Sequence, residues 1–393
     1  MNKKIKIFLK KASLIDIFFI LFFIIFLYIP ISHINKSQFS IFEKRKLASK
    51  PQVIINNKIN YNFGKDFDKW FNDRFFLRFQ LLQLNTLIKF LLNKCLIFEQ
   101  TVYIKKHNFF YASGDFGLYP DAKYQEIEKE LYVNNLNKLN EYYIKNNIKL
   151  YLLIAPRRID FFNYKIPYNT RIINEYGNKI ITLLKEKTNV NIIYPIQEMQ
   201  KENEYNLMYY KTDHHWTKKG AYIGYRELMK EIKKDFPNVT ILQEDNLIKY
   251  YDNNVSESLN QTQHLGQSYI NLALPLFLNK KILDTQYLYY KNPQNNFLKM
   301  YNYKYTTIYN DKIDNEFYYE KGLNKKVILI GNSFVGNLLE FLPYSFKYTL
   351  HLDDNDRLMN FSIYKKAIEE FKPDIIIINT NTNCLHNLLR IYN

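Results

Sequence analysis

The 393-residue chain is poor in cysteine and glycine, with 2 and 10 residues respectively. It lacks the ligand spacing of a zinc site, the aromatic motif of an RNA-binding domain and a glycine-rich loop that could hold a phosphate. A net charge of +17 suggests nucleic acid as a partner, but the lysines are spread along the chain and form no basic stripe. We therefore expect neither a nucleic-acid partner nor a cofactor. Cys95 and Cys384 are too far apart in sequence to indicate whether they pair.

A long apolar run lies near the amino terminus. Five lysines precede residues 14–31, a run interrupted only by Asp16 and just long enough to cross a bilayer as a helix. The small-residue pattern of signal-peptide cleavage does not follow, which favours an uncleaved anchor over the alternative of a cleaved signal peptide. Basic residues flank both ends of the run, so charge alone does not set its orientation. We predict a short cytoplasmic tail and a single-pass anchor in the cytoplasmic membrane at residues 1–33, with the remainder in the periplasm or outside the cell.

The rest of the chain predicts a helical segment followed by an α/β domain. Residues 34–100 have apolar residues at helical spacing and are interpreted as a membrane-proximal helical segment. Beyond residue 101, amphipathic helices alternate with apolar runs such as "IKLYLLIAP", "NVNIIYPI", "NVTIL", "KKVILIGNSF" and "DIIIINTNTN". Such runs are typical of strands buried on both faces, so residues 101–393 predict a doubly wound parallel sheet with flanking helices. Residues 245–305 break the alternation and are interpreted as an insertion.

Two polar clusters follow predicted strand ends, where doubly wound domains form their sites. Ser333, in "GNSF", follows the strand "KVILI" and lies on the turn into a helix, a position that suits either an acyl-transfer nucleophile or a plain helix N-cap. The second cluster, "DHHW", precedes a helix that Thr217 can cap. Because alternate residues of an extended chain share a face, Asp213 can orient His215 as a general base. His214 points elsewhere, towards packing or substrate. A metal site is the other interpretation of adjacent histidines, but no third ligand with suitable spacing is found.

Several blocks in a fixed order carry a resemblance to a known family. They are "FEKRKLASKP", "FDKWFNDRFFLR", "VYIKKHNFFYA", "YLLIAPRRIDFF", "TDHHWTKKGA" and "VILIGNSF", which together span most of residues 40–393. This series resembles the DHHW and alginate O-acetyltransferase group, whose members have SGNH-hydrolase-like domains. The sequence departs from the family pattern at Asn332, where Asp is common, and at "NTNTNCL", where Glu and Arg often occur.

The resemblance implies a catalytic triad with Ser333 as nucleophile, His215 as base and Asp213 as orienting acid. It also implies a separate multi-pass membrane O-acyltransferase that delivers acetyl groups across the bilayer. The remaining candidates are assigned to substrate binding: His214, Trp216, Asn332 and Arg157. Arg157 ends the strand "YLLIA" and aligns with a basic residue of the family. The alternative is that Arg157 is only a solvent-exposed charge at the edge of the sheet.

The predicted function is therefore that of a membrane-anchored O-acetyltransferase acting on an exported polysaccharide or on peptidoglycan. Two alternatives stay open. The first is an acetyl-esterase for cell-envelope glycans, which would use the same triad with water as acceptor. The second is an inactive glycan-binding or assembly protein that keeps only the fold.

Overall fold

The computed structural model describes residues 13–40, 45–92, 95–98, 101–104, 109–112, 122–162, 174–203, 207–210, 215–252, 287–291, 298–303, 314–353, 361–382 and 384–385. The helices are α1 (Leu14–Ser32), α2 (Phe63–Arg74), α3 (Arg78–Leu92), α4 (Ala122–Lys145), α5 (Arg158–Phe162), α6 (Asn174–Lys187), α7 (Ile196–Lys201), α8 (Lys218–Asp235), α9 (Val335–Leu338) and α10 (Phe361–Phe371). The strands are β1 (Phe39–Ser40), β2 (Arg45–Lys46), β3 (Ile54–Ile55), β4 (Lys58–Ile59), β5 (Cys95–Phe98), β6 (Thr101–Ile104), β7 (Phe109–Ala112), β8 (Lys149–Ala155), β9 (Asn191–Ile193), β10 (Ile248–Asp252), β11 (Tyr287–Lys291), β12 (Leu298–Tyr303), β13 (Asp314–Tyr319), β14 (Leu323–Gly331), β15 (Phe346–Asp353) and β16 (Ile375–Asn381).

A seven-stranded sheet with the order β12-β13-β15-β14-β16-β8-β9 forms the centre of the α/β fold. The five strands from β15 to β9 are parallel, as the sequence predicts. β12 and β13 are antiparallel additions at one edge, so the sheet is mixed and the prediction of a wholly parallel sheet is wrong at that edge. β12 lies within residues 298–303, part of the range interpreted as an insertion, and it nevertheless joins this sheet.

Alternating side chains of β8, β14 and β16 face two separate cores. On one face Tyr151 and Leu153 of β8 pack in a cluster with α7 and α8, and on the other Leu150 and Leu152 pack with α4, α6 and α10. The apolar runs of these strands are continuous because both faces are covered by helices. This arrangement confirms the prediction of helices on both sides of the sheet.

The end of α4 shows how local chemistry directs the chain into the sheet. Asn147 adopts a left-handed conformation with φ of 58°. The Ile148 N–H donates to the Tyr143 carbonyl at 2.8 Å, and the Asn147 N–H donates to the Ile144 carbonyl at 3.0 Å. This Schellman-type cap ends the helix, and asparagine tolerates the left-handed backbone better than most residues. β8 then begins two residues later.

The segment "NVTIL" was predicted to be a strand, and this prediction is wrong. Its residues, 238–242, have no strand pairing, although Val239 and Leu242 are buried. Two tyrosines of α8 hydrogen-bond the backbone of Leu242 instead. The Tyr222 hydroxyl donates to its carbonyl at 3.0 Å, and its N–H donates to the Tyr225 hydroxyl at 2.9 Å. A buried apolar segment can therefore satisfy its polar backbone without joining a sheet.

The chain divides into two compact units. One contains Met1–Phe98 with Gln263–Ile282, and the other contains Glu99–Thr262 with Leu283–Asn393. Within the first unit, two of the sequence blocks quoted above fold against each other. The Asp73 carboxylate accepts the Ala48 N–H at 2.8 Å, and the Arg74 Nε donates to the Ala48 carbonyl at 3.0 Å. Arg74 also donates to the carbonyls of Asn35 and Ser37 at 2.8 and 2.7 Å.

Helix α1 coincides with most of the apolar run that the sequence predicts to be a membrane anchor. Among the residues that the structure describes, however, no helix combines the length and the apolar character required to cross a membrane. The predicted anchor is therefore not confirmed.

Candidate active site

The candidate site lies at the carboxyl end of β14, on the turn that connects it to α9. The Phe334 N–H donates to the Asn332 Oδ1 at 3.1 Å, and the Val335 N–H donates to the Asn332 carbonyl at 2.9 Å. Gly331 is required at the strand end, because a Cβ there would lie 2.7 Å from the Asn379 carbonyl oxygen of β16. The turn leaves Ser333 exposed while its neighbours Phe334 and Val335 are buried.

His215 and Ser333 meet at this turn, although they are 118 residues apart in sequence. The His215 Nε2 lies 2.6 Å from the Ser333 Oγ, within hydrogen-bond distance. This is the pairing of base and nucleophile that the sequence predicts. With Nε2 as the acceptor, the imidazole can take the hydroxyl proton as the oxygen attacks a carbonyl carbon. An exposed serine oxygen is also within reach of a substrate.

Trp216 joins the segment that carries His215 to the turn that carries Ser333. Its indole Nε1–H donates to the Phe334 carbonyl at 2.9 Å, and the Asn337 amide donates to the Trp216 carbonyl at 2.8 Å. The Phe334 ring lies against the His215 imidazole, with centroids 4.8 Å apart. The bonds run in both directions between the two segments, so they fix the position of His215 relative to Ser333.

The indole of Trp216 is fully buried against the amino-terminal half of α8. A Cβ at Gly224 would lie 3.0 Å from the Trp216 ring, and one at Gly220 would lie 3.0 Å from the Trp216 Cβ. Thr217 caps α8, as predicted, by accepting the Gly220 N–H at 3.3 Å. The two glycines therefore leave room on α8 for the Trp216 side chain. Thr217, the residue after Trp216, begins the helix.

A second short segment supports His215 from the side of β8. Tyr209 and Trp216 form an isolated antiparallel bridge, and the Tyr210 N–H donates to the His215 carbonyl at 3.3 Å. The Tyr209 hydroxyl donates to the Pro156 carbonyl at 2.7 Å, and the buried Arg158 Nη1 donates to the Tyr210 carbonyl at 2.9 Å. The end of β8 thus holds the segment that carries the base.

Arg157 is placed differently from its predicted role in substrate binding. It is 4% exposed, and its Nε and Nη2 atoms donate to the two carboxylate oxygens of Asp160 at 2.8 and 2.7 Å. The Thr382 hydroxyl, just beyond β16, donates to the same carboxylate at 2.7 Å. Burial and the Asp160 carboxylate also raise the pKa of Tyr194 above its ordinary value. This geometry makes Arg157 part of a buried fork that joins the ends of β8 and β16, and it does not favour a contact with glycan.

The other predicted site residues divide into two groups. Asp213 and His214 lie outside the described residues, so their roles stay predictions. Trp216 is too deeply buried to touch a substrate, and the Oδ1 of Asn332 is used within its own turn. For Trp216 the structure indicates a positioning role in place of the predicted substrate contact, whereas the substrate contact of Asn332 stays a prediction.

Three residues that sequence reasoning missed also support the site: Arg158, Phe334 and Asn337. A usable signal existed only for Asn337. It lies four residues after Ser333, one helical turn along, where a polar side chain remains close to the nucleophile turn. The partners of Arg158 and Phe334 are 52 and 118 residues away, and no local pattern identifies them.

The family model for the SGNH hydrolase-like domain of the acetyltransferase AlgX matches residues 109–265. The predicted resemblance to this acetyltransferase family is confirmed. The matched range includes His215, whereas Ser333 lies beyond it. No curated protein sequence matches the chain.

Several solved structures superimpose on this chain at low sequence identity. A DHHW family protein from Eubacterium siraeum superimposes with a TM-score of 0.52 at 12% identity, covering 75% of this chain and 97% of that one. PatB1 from Bacillus cereus, solved with a sulfonyl adduct, has a TM-score of 0.49 at 16% identity, covering 68% and 93%. The O-acetyltransferase domain of Pseudomonas putida AlgJ has a TM-score of 0.43 at 12% identity, covering 74% and 91%. Of these three, the first has a TM-score above 0.5, and it supports the α/β architecture described above.

Proposed function

We propose that this protein is an O-acetyltransferase that modifies hydroxyl groups of a polysaccharide or of peptidoglycan outside the cytoplasm. The observation that carries the proposal is the 2.6 Å contact between His215 and an exposed Ser333 at a strand end. The match to an acetyltransferase domain supports the choice of acetyl as the transferred group.

The proposed reaction has two half-reactions with the same proton carrier. Ser333 Oγ attacks the acetyl carbonyl of the donor while His215 takes its proton, and the departing donor oxygen then receives that proton. This leaves an acetyl ester on Ser333. A glycan hydroxyl then loses its proton to His215 and attacks the ester, and the proton returns to the Ser333 oxygen. Asp213 is the proposed orienting acid, which would hold the imidazole and stabilise its cation.

Hydrolysis is the second candidate function, and the exposure of Ser333 is the observation that favours it. Water can reach an acyl-serine that lies at the surface, and it would then release acetate. Transfer requires that the acceptor glycan be bound well enough to compete with water. The same His215–Ser333 pair serves both outcomes, so a measurement of products is needed to separate them.

The decisive experiment supplies the full-length chain with a chromogenic acetyl ester, with and without oligosaccharide acceptors from exported polysaccharide and from peptidoglycan. We expect mass spectrometry to find acetylated oligosaccharide, and we expect the yield to vanish for Ser333→Ala. Ser362→Ala, on the exposed face of α10, is the matched serine control. Acetate release without any acetylated acceptor would assign the protein as an esterase. Absence of both products, with tight glycan binding, would assign it as a binding protein.

The location and the partner also belong to the proposal. The apolar run at residues 14–31 suggests export, and a separate membrane O-acyltransferase is the proposed source of acetyl groups. The test is to fuse, after residue 50, a reporter enzyme that works only outside the cytoplasm. We expect this fusion to show reporter activity. A fusion active only in the cytoplasm would contradict the proposed location.

A further inference from the structure

Helix α3 carries a row of exposed apolar side chains along one face. They recur every three or four residues, from the residue just before the helix to its last turn, and are between 39% and 54% exposed: Leu77, Leu81, Leu84, Ile88 and Leu91. We call these five residues the α3 stripe. Their spacing places them on one side of the helix, as for an apolar face that contacts a partner.

Away from the α3 stripe, the helix buries two polar side chains. Gln83 and Thr86 are 6% and 4% exposed, together with Leu87 at 6%. A helix that only had to pack on its own unit would bury the leucines of the α3 stripe in preference to a glutamine and a threonine. The outward placement of the stripe therefore indicates a contact beyond the described residues.

The distribution of charge favours an anionic partner. Residues 1–98 contain 17 Lys and Arg but only 5 Asp and Glu, whereas the rest of the chain contains 38 and 33. Helix α3 itself, "RFQLLQLNTLIKFLL", has two basic residues and no acidic one. Two copies joined along this face would bring like charges together. Anionic lipid headgroups would complement both the charge and the apolar stripe.

The start of the α3 stripe lies close to the end of α1, which also has exposed apolar side chains. The side chains of α1 from Phe18 to Ile25 are 42–66% exposed. Just after α1, the His33 ring lies 5.1 Å from the ring of Phe76, which precedes the stripe and is 42% exposed. The bonds from Arg74 to the carbonyls of Asn35 and Ser37 hold this junction together. The two apolar surfaces are thus tied together at one point.

We propose that the α3 stripe lies on the surface of a lipid bilayer, with its apolar side chains in the acyl-chain boundary and Arg78 and Lys89 of the same helix at anionic headgroups. Such a contact would place this unit at the membrane surface whether or not α1 crosses the membrane. It is independent of the reaction proposed for Ser333.

The test uses the full-length chain with Cys95→Ser and Cys384→Ser, so that one new cysteine can be labelled. Ile88→Cys carries a polarity-sensitive fluorophore, and the chain is mixed with phosphatidylcholine vesicles, with or without phosphatidylglycerol. Nitroxide groups on the lipid acyl chains serve as quenchers. We expect quenching and a blue-shifted emission, both stronger with the anionic lipid and weaker at high salt.

Two charge substitutions on adjacent residues provide a matched pair. Leu84→Glu lies in the α3 stripe, whereas Asn85→Glu introduces the same charge at an exposed position beside it. We expect Leu84→Glu to lower the quenching at position 88 severalfold, and Asn85→Glu to lower it much less. Thermal unfolding of each labelled variant shows that the unit remains folded.

Three results would overturn the proposal. One is the absence of quenching in anionic vesicles. Another is an equal effect of the two glutamate substitutions, which would mean that charge alone matters and the stripe does not. The third is excimer emission from a pyrene at position 88 in the absence of lipid, which would identify a second copy of the chain as the occupant.

Discussion

The substitution Trp216→Phe tests whether the indole positions His215 against Ser333. It removes the Nε1–H that donates to the Phe334 carbonyl and keeps an aromatic ring in the groove of α8. The orphaned buried carbonyl costs about 1–3 kcal/mol of folding free energy. The lost ring volume adds about 1 kcal/mol. Because small domains have about 5–15 kcal/mol of stability, we expect the variant to fold.

The expected effect on catalysis is a fall in kcat for acetyl ester hydrolysis of about 10- to 100-fold, because a displacement of roughly 1 Å can cost that much. Urea unfolding of the same samples gives the stability change. Trp70→Phe is the control, since Trp70 is the only other tryptophan and lies on α2 in the other unit. We expect it to leave kcat unchanged and to cost less than about 1 kcal/mol.

The reasoning about position fails if Trp216→Phe unfolds more easily but retains the wild-type kcat. Trp216 would then be a packing residue whose bond to Phe334 has no consequence for the base. It fails equally if KM alone changes, because a displaced base lowers the rate of the chemical step. A parallel fall in kcat for Asn337→Ala would support the positioning role, because Asn337 bonds the same segment from the other direction.

Three further outcomes are expected. Ser333→Ala is expected to lower the rate of ester hydrolysis by orders of magnitude. It should change the urea midpoint little, because the hydroxyl is exposed. Retained hydrolysis would show that Ser333 is not the nucleophile. Asp160→Asn is expected to destabilise the protein by about 3–5 kcal/mol, because it leaves the buried Arg157 guanidinium without its carboxylate. It should reduce the reactions with a small ester and with glycan equally. A defect confined to the glycan reaction would support the predicted substrate role of Arg157. Burial raises the pKa of Asp235, but bonds from Lys149 and the Tyr151 hydroxyl outweigh it and hold that pKa below its ordinary value. Asp235→Asn is therefore expected to cost about 1 kcal/mol of stability at neutral pH. In urea titrations this difference is still present near about pH 4 and is lost only at lower pH, as the wild-type carboxylate of the folded protein becomes protonated.

Sequence patterns within single segments predicted the buried strands and the location of the candidate site at a strand end. The apolar runs of β8, β14 and β16 indicated strands buried on both faces, and two helical cores cover them. The position of Ser333 after such a run indicated a site at the strand end. The "DHHW" cluster indicated a base, and His215 lies beside Ser333.

Features that depend on distant partners could not be predicted. The segment "NVTIL" has the composition of a strand, but tyrosine hydroxyls from α8 satisfy the Leu242 backbone. Arg157 was predicted to bind substrate at the edge of the sheet. The sequence did not show that its guanidinium would bond Asp160, whose carboxylate is also bonded by the distant Thr382. Trp216 was predicted to contact substrate because nothing local shows that its indole is buried and donates to the Phe334 carbonyl, 118 residues away.

The order of the catalytic residues along the chain has a consequence for synthesis. The contacts that join base to nucleophile all span about 120 residues: His215 to Ser333, Trp216 to Phe334, Asn337 to Trp216, and the ion pair between Lys218 and Glu340 at 2.7 Å. A ribosome therefore makes His215 long before it makes Ser333, and any product truncated before residue 333 lacks the proposed nucleophile. Closing a loop of this length costs entropy that no local contact repays, so the site forms only when these contacts form together. During refolding of the full-length chain, recovery of acetyl ester hydrolysis would then report the formation of these long-range contacts.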